Sequence, residues 1–242
     1  KYSSELCITR KNGEVANCPG QIYKLHRGIM KFAPATYSNV VPNAQIMFTG
    51  LLDFFNTCFD DYGKLSKQSQ QLLILNSFEL MHRADDLYRS VHHFPDDDTL
   101  MPGYTTTFSL DNLDEFLADC PSGVNKEEAM AVIIKNTKRH LLVNKAHFKR
   151  LQLSIEEYLA FLGLALWKDH DSNVDDNMAE MVERNRSTIM TELHNHYAHK
   201  GKHNYAARLG DLLCLLVNME ELASQHTEDL KVYKLMNMFN EF

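Results

Sequence analysis

Proline is absent from this 242-residue chain after Pro121, and glycine is almost as scarce, with 10 glycines and 6 prolines in all. Both residues destabilise helix interiors, by about 1 kcal/mol for glycine and about 3 kcal/mol for proline. The turn-forming residues that do occur are concentrated in the first half. The pattern therefore predicts an α-rich fold whose second half consists of long helices with short joints.

Apolar spacing and capping residues locate several helices. From Asn43 onward, large apolar residues recur at helical spacing, namely Ile46, Leu51, Leu52, Phe55 and Phe59. Ser66 is a candidate N-cap for a second helix, whose apolar residues cover most of its circumference. A helix of that kind belongs in the middle of a protein. Ser154 and Glu157 have the spacing of a capping box and predict a further helix start.

Residues 104–110 have a different pattern. Aromatic and β-branched residues dominate this stretch, and turn-forming residues flank it on both sides. This combination is typical of short strands. We therefore expect a small β-hairpin here, inserted between helical regions.

Composition excludes several functional classes. The formal net charge of −7 argues against nucleic acid as a partner of this domain, because phosphate binding requires a concentrated basic surface. No apolar run approaches the ~20 residues of a membrane-spanning helix. The start of the chain does not resemble a signal peptide. Five cysteines without a C-x-x-C pair predict free thiols and no structural zinc.

Catalytic and metal-binding motifs are not found in the sequence. It contains no G-x-S-x-G motif and no Gly-rich phosphate loop. His199 and His203 have the i, i+4 spacing of helical metal ligands, but Gly201 lies between them and no glutamate follows. We therefore predict no catalytic residues, no metal and no cofactor, and a lipid-directed helical enzyme is the weakest alternative.

Two features remain to be explained. His82, Arg83 and Arg89 lie inside the most apolar helix, where an unpaired charge is costly. An arginine there forms a structural ion pair with Asp85 or Asp86, or it anchors a polar group of an apolar ligand. The C-terminal segment forms the second feature, because its large apolar residues have helical spacing and need a groove: Leu235, Met238, Phe239 and Phe242.

These stretches resemble the ligand-binding domain of nuclear hormone receptors over residues 43–242. Residues 65–73 read LSKQSQQLL, close to the family signature L-[ST]-x-x-D-Q-x-x-L-L, with Ser69 in place of the aspartate and the leucine pair displaced by one position. Residues 151–162 are similar to the start of helix 8, and residues 205–230 to helix 10/11 of vitamin D and oxysterol receptors. The sequence MFNEF (238–242) matches the activation-helix pattern Φ-Φ-x-E-Φ.

The resemblance implies an all-α fold, a three-layer antiparallel helical sandwich of about twelve helices with one small β-hairpin. It implies a single ligand-binding domain over 1–242, with 1–20 as a hinge or loosely ordered segment and 235–242 as the activation helix. Among subfamilies it favours the vitamin D, oxysterol and ecdysteroid branch, and within that branch the nematode receptors of bile-acid-like steroids, the dafachronic acids. The zinc-bearing DNA-binding domain of the family is not in this sequence, so we expect a fragment of a larger protein.

The resemblance also assigns a ligand and the residues that bind it. We expect a sterol or steroid acid in an interior pocket, and no other cofactor. Arg89 aligns with the helix 5 arginine that holds the A-ring oxygen in steroid receptors, and Arg83 is the alternative. His226 aligns with a helix 11 histidine that contacts hydroxyl or carbonyl groups. Gln45 and Phe48 fall on the inward face of helix 3.

Partner surfaces follow from the same resemblance. Glu241 aligns with one half of the charge clamp that holds a coactivator L-x-x-L-L helix, and Thr57 occupies the position of the clamp lysine, for which Lys64 or Lys67 is a substitute. The remaining residues of the expected groove are Met238, Phe239 and Gln70. Residues 205–230 imply a homodimer or heterodimer, and the family implies a nuclear protein that does not act at a membrane. A constitutive interaction platform and a fatty-acid sensor are the alternatives.

Overall fold

The computed structural model describes residues 32–168, 176–201 and 205–238. Within these ranges the chain forms nine α-helices: α1 (Val40–Cys58), α2 (Asp60–Lys64), α3 (Lys67–His93), α4 (Leu113–Phe116), α5 (Lys126–Arg139), α6 (Ala146–Leu151), α7 (Ile155–Leu166), α8 (Asp176–His199) and α9 (Ala206–Leu235). Two short 3₁₀ turns precede α1 and α4, at Tyr37–Asn39 and Leu110–Asn112. A π-helical stretch, His140–Lys145, joins α5 to α6.

Capping side chains define where three of these helices begin. Ser66 Oγ accepts a hydrogen bond from the Ser69 amide at 3.1 Å. The Asn125 side chain accepts one from the Glu128 amide at 3.4 Å. At α7, Ser154 Oγ accepts from the Glu157 amide, and the Glu157 carboxylate accepts from the Ser154 amide at 2.8 Å. The capping box predicted from the sequence is therefore confirmed.

Helix α3 lies in the middle of the molecule. It packs against α1, α6, α7 and α9, and α7 packs in turn against α8 and α9. Apolar side chains around most of α3 are buried, among them Leu73, Ile74, Leu80, Met81 and Leu87. The predicted all-α sandwich is confirmed, although the described residues hold nine α-helices instead of about twelve. None of the described helices is long and apolar enough to span a membrane.

The predicted hairpin is wrong in its pairing. Strand β2 (Thr106–Thr107) pairs in parallel with β1 (Ala33–Pro34), and Leu100 and Phe108 form an isolated antiparallel bridge. The sequence pattern located β2 correctly, because Thr and Phe favour extended backbone. It could not identify the partner, because an Ala-Pro pair carries no strand preference of its own.

Buried side chains form two clusters. The main core lies around α1, α3, α7, α8 and α9, with Phe54, Phe55 and Trp167 among its largest members. The second core is smaller and joins the segment before α1, the region around α4, helix α5 and the end of α9. Tyr233 and Met238 belong to the second core.

Helix α9 ends at Leu235 with a Schellman motif. The Met238 amide bonds to the Tyr233 carbonyl at 2.8 Å, and the Asn237 amide bonds to the Lys234 carbonyl at 3.0 Å. Asn237 has a positive φ of 60° at the position where glycine is usual. The predicted activation helix therefore does not start at Leu235, because 236–238 form this turn. Its last four residues, 239–242, lie outside the described residues, and the helix itself stays a prediction.

Candidate functional site

A partly open cavity of about 210 Å³ lies where α3, α5 and α9 meet. Side chains from both cores line it, so it separates the main core from the second core. Its apolar wall includes Leu100, Phe108, Phe116, Ile133, Leu222 and Leu230. Its polar wall includes Glu79, Arg83 and Asp86 from α3, His140 from the π-helical stretch, and His226 from α9. An apolar cavity with a few convergent polar groups is the usual form of a small-molecule site.

Glu79, Arg83 and His226 form one polar group on this wall. Arg83 Nε donates to Glu79 Oε2 at 3.3 Å, and His226 Nδ1 lies 3.4 Å from the same oxygen. Among the described residues, His226 Nδ1 is buried and has no hydrogen-bond partner. Burial and the nearby Arg83 lower the pKa of His226, so the ring is neutral at pH 7. Burial alone would raise the pKa of Glu79, but the charge of the Arg83 guanidinium lowers it.

Asp86 and His140 form a second polar group. Asp86 Oδ1 accepts from the Met101 amide and from Ser90 Oγ, both at 3.1 Å. Its other oxygen, Oδ2, lies 3.6 Å from His140 Nε2. Burial alone would raise the pKa of Asp86, but His140 and the Arg83 and Arg89 guanidinium groups hold it well below its usual range. The carboxylate is therefore ionised, and its Oδ2 is directed at an imidazole.

Arg89 does not line the cavity, which corrects its assignment as the ligand anchor. It is 1% exposed, and its Nε donates to Asp85 Oδ2 at 2.8 Å. Its Nη1 donates to the Gly103 carbonyl, and its Cζ lies 4.9 Å from the centre of the Tyr104 ring. The structural ion pair is therefore the arrangement that the chain adopts. Arg83, the alternative, is the arginine that lines the cavity, and His226 lines it as well.

Gln45 and Phe48 do not line the cavity either. Gln45 is exposed on α1, and Phe48 is half-buried and packs edge-on against Phe78 with ring centroids 5.7 Å apart. The family resemblance placed these residues on the inward face of helix 3. The inward face of α1 instead carries Met47, Leu51 and Phe54.

Some of the residues expected to bind a coactivator are exposed, and others are buried. Thr57 and Lys67 are exposed at the end of α1 and the start of α3. Gln70 is buried, because its amide donates to Asn56 Oδ1 and to the Tyr62 carbonyl, so it joins α1, α2 and α3 instead of facing a partner. Met238 is fully buried in the second core. Phe239 and Glu241 lie outside the described residues.

Leu72 and Leu75 are two large apolar residues whose exposure the sequence did not predict. They are 57% and 60% exposed on α3. The Gln70–Asn56 hydrogen bond places the start of α3 beside the end of α1, and Leu72 and Leu75 lie on the side of α3 away from Gln70. The spacing i, i+3 was visible in the sequence, but only the structure shows that both side chains are exposed among the described residues.

Glu79, Asp86 and His140 were also missed. Glu79, Arg83 and Asp86 follow one another at i, i+4 and i+7, which places them on one face of α3. That spacing was a signal available in the sequence. His140 gave no such signal, because its orientation depends on the π-helical stretch that begins with it.

A partly apolar cavity between packed helices is a usual place for a small-molecule site in an all-α domain. Residues 27–236 match the family model described as the ligand-binding domain of nuclear hormone receptor, and the chain belongs to this family. A high zinc activated nuclear receptor protein of Caenorhabditis elegans is 24% identical over 196 residues, covering 77% of this chain and 47% of that protein.

Two further relatives come from the same nematode. The nuclear hormone receptor family member nhr-12 is 20% identical over 192 residues, covering 77% of this chain and 42% of that protein. The member nhr-80 is 26% identical over 98 residues, covering 40% of this chain and 19% of that protein. The chain thus spans about half the length of its relatives, or less. Within the described residues, no group of three or more His, Cys, Asp or Glu side chains could hold a metal ion.

Proposed function

We propose that this chain is the ligand-controlled module of a nuclear transcription factor, and that it binds a sterol or a bile-acid-like steroid in the cavity. The observation that carries the proposal is the placement of Arg83 and His226 on the wall of a largely apolar cavity. Only Arg83 Nε has a hydrogen bond among the described residues, so the rest of its guanidinium can donate to a ligand oxygen. An acceptor oxygen at the end of a lipid meets these requirements.

The partner of the domain, in this proposal, is a coactivator L-x-x-L-L helix. Leu72 and Leu75 supply an exposed apolar surface of the kind such helices use. Glu241 supplies the acidic half of the clamp. Lys64 already pairs with Asp61 at 3.1 Å, so Lys67 is the better substitute for the lysine that Thr57 replaces. Dimerisation through 205–230 is part of the same proposal, and we infer that the domain acts as a receptor and not as an enzyme.

A fluorescence-polarisation titration tests the switch. A labelled L-x-x-L-L peptide is titrated with the domain alone, and then with sterols, acidic steroids and fatty acids. We expect peptide binding that depends on a sterol or steroid acid. Leu75→Glu is expected to abolish it, while Val143→Glu, on an equally exposed apolar residue of the π-helical stretch, leaves it unchanged. A response to fatty acids alone would assign the alternative lipid class.

Glu241→Ala is expected to abolish peptide binding while sterol affinity stays the same. The carboxylate would face the N-terminal amides of the peptide helix, where a negative charge is favourable. Peptide affinity and sterol affinity are measured on the same protein sample. An equal loss of both would contradict the activation-helix assignment.

One observation favours a second candidate, a constitutive platform that needs no ligand. The cavity of about 210 Å³ is smaller than the roughly 300–1,000 Å³ of most ligand pockets. A platform of this kind binds the peptide with the same affinity in the presence and absence of every lipid. The titration described above therefore separates the two candidates.

A further inference from the structure

On the polar wall, two imidazole nitrogens each face a carboxylate oxygen across a gap that is slightly too long for a hydrogen bond. His226 Nδ1 and Glu79 Oε2 are 3.4 Å apart, and His140 Nε2 and Asp86 Oδ2 are 3.6 Å apart. Both distances exceed the usual 2.9–3.0 Å of an N–H···O hydrogen bond. Both nitrogen atoms are buried and have no hydrogen-bond partner among the described residues. Leaving such a group unsatisfied is costly, so each gap marks a place where a ligand atom would be stabilised.

A hydroxyl group fits the gap between Asp86 and His140. It can donate to the carboxylate and accept from the imidazole at once, because a hydroxyl has one proton and two lone pairs. A single oxygen beside the 3.6 Å gap can lie within hydrogen-bonding distance of both atoms. A ketone could only accept, and would leave the carboxylate unsatisfied.

A carboxylate does not fit there. It offers only acceptors and would meet the ionised Asp86 directly. The charged side chains on the cavity wall are three carboxylates, Glu79, Asp86 and Asp229, against two guanidinium groups, Arg83 and Arg139. The wall therefore carries no surplus of positive charge to offset a second anion beside Asp86.

We propose that Asp86 and His140 form a second polar subsite of the cavity, and that this subsite binds a hydroxyl group of a neutral lipid. The inference rests on the proposed function, since it assumes that the cavity is the ligand site. Asp86 is held in place by the Met101 amide and Ser90 Oγ, so the acceptor oxygen is preorganised. His140 stands at the start of a π-helical stretch, a backbone form that is frequent at functional sites.

The spacing of the two polar groups sets the distance between the two polar atoms of a matching ligand. Glu79 and Asp86 are seven residues apart on α3, which corresponds to about 10.5 Å along the helix axis. A fused four-ring steroid with one oxygen on each terminal ring has polar ends at a comparable separation. The first hydroxyl would meet Arg83 and His226, and the second would meet Asp86 and His140.

Three steroids that share one skeleton test the subsite. The first is an androstane diol with a hydroxyl on each terminal ring. The second lacks the D-ring hydroxyl, and the third carries a carboxylate in its place. Their affinities are measured by equilibrium dialysis. We expect the diol to bind roughly tenfold more tightly than the mono-alcohol, because it adds a hydrogen bond to a charged group. The acid is expected to bind more weakly than the diol.

Variants at one position assign the difference to His140. His140→Phe is expected to reduce the diol affinity to that of the mono-alcohol. His140→Gln retains a polar N–H group and is expected to preserve the preference for the diol. His147→Phe, on α6 and outside the cavity, is the matched control and should leave all three affinities unchanged. Melting temperatures show whether each variant is folded.

The outcomes separate the subsite from the proposed function. Equal binding of diol and mono-alcohol by the unmodified domain would overturn the subsite while the proposed function stands. Tighter binding of the acid than of the diol would also overturn it. If none of the three steroids binds, the proposed steroid ligand is wrong, and the subsite is overturned with it. A preference for the diol that His140→Phe removes and His140→Gln retains would support the proposal.

Discussion

At the scale of single residues, Arg89 is buried in an ion pair with Asp85 and does not line the cavity. Its guanidinium bonds to the fully buried Asp85, which also accepts a hydrogen bond from Tyr158 Oη at 2.6 Å. Through Asp85 and the Gly103 carbonyl, Arg89 links α3 to α7 and to the segment before β2. It therefore joins elements that surround the cavity without lining the cavity itself.

Arg89→Met is expected to destabilise the fold by about 3–5 kcal/mol, because Asp85 would be left buried without its counter-charge. Urea unfolding measures the free energy, and a ligand titration under native conditions measures affinity, which should not change. Arg150→Met, at an exposed position of α6, is the matched control and should change neither stability nor affinity. Reduced ligand affinity with unaltered stability in Arg89→Met would contradict this assignment.

Glu157 is the second residue with a large expected effect. Its carboxylate is 2% exposed and accepts from Arg208 Nε and Nη2, both at 2.6 Å, from Tyr197 Oη at 2.8 Å and from the Ser154 amide. Burial alone would raise the pKa of Glu157, but these donors lower it to about 2. A depressed pKa contributes stability above the unfolded-state value of about 4.5, and that stability is lost as the pH falls toward 2.

Glu157→Gln is expected to cost about 3 kcal/mol at pH 7, the free energy that corresponds to the pKa shift. The variant should also lose less stability than the unmodified domain between about pH 4.5 and pH 2, because the titrating group is gone. Urea unfolding across this pH range provides the measurement. Glu183→Gln, at an exposed position of α8, should change neither quantity. If the stability of Glu157→Gln fell with pH as steeply as that of the unmodified domain, another titrating group would be responsible for the loss of stability.

At the scale of elements, the end of α9 links the cavity to the C-terminal segment. Tyr233 lines the cavity, and its hydroxyl accepts a hydrogen bond from the side-chain Nδ2 of Asn136 in α5 at 3.1 Å. The carbonyl of the same residue receives the Met238 amide in the Schellman motif. The turn that leads toward residues 239–242 therefore starts from a residue of the cavity wall.

Asn237→Ala is expected to destabilise the domain by about 1 kcal/mol, because a side chain with an ordinary Cβ is strained at a φ of 60°. Asn237→Gly should keep or raise the melting temperature, since glycine is the preferred residue at this position. Asn195→Ala, on the exposed side of α8, makes the same chemical change without the unusual backbone and should not destabilise. A harmless Asn237→Ala would show that this turn does not limit stability.

Helix starts were predictable from the sequence, whereas partners and orientations were not. Ser66, Asn125 and Ser154 act through residues three positions away, so local sequence contains the whole interaction. Arg83 and Arg89 are six residues apart on one helix and face in different directions. Which of them reaches a cavity depends on α5 and α9, which come later in the chain. The β1 partner of β2 is likewise distant, more than seventy residues away.

At the scale of the whole molecule, the two cores differ in size and share the cavity as a boundary. The main core contains most of the buried apolar side chains, while the second core holds far fewer. Regions with fewer buried contacts open more often. A ligand that contacts both cores would stabilise their association by mass action, about 2.7 kcal/mol at a concentration one hundred times its Kd.

Hydrogen exchange followed by mass spectrometry is expected to show this difference. Without ligand, amides in α5 and at the end of α9 should exchange faster than those in the middle of α3 and in α7. A bound steroid should protect α5 and α9 more than α7 and α8, which do not border the cavity. Uniform protection across all helices would indicate that the two cores unfold as one unit.

The π-helical stretch between α5 and α6 has a consequence for helical phase. A π turn contains an extra residue compared with an α turn, so it rotates everything that follows by about 100°. Thr137 and His140 before or at the start of the stretch face the cavity, while Phe148 and Leu151 after it face the main core. Because of this single extra residue, side chains on one continuous helical segment face the cavity before the π-helical stretch and the main core after it. Deleting one residue from this stretch would restore the regular α-helical repeat. Either the cavity-facing or the core-facing side chains would then be rotated away from their present contacts.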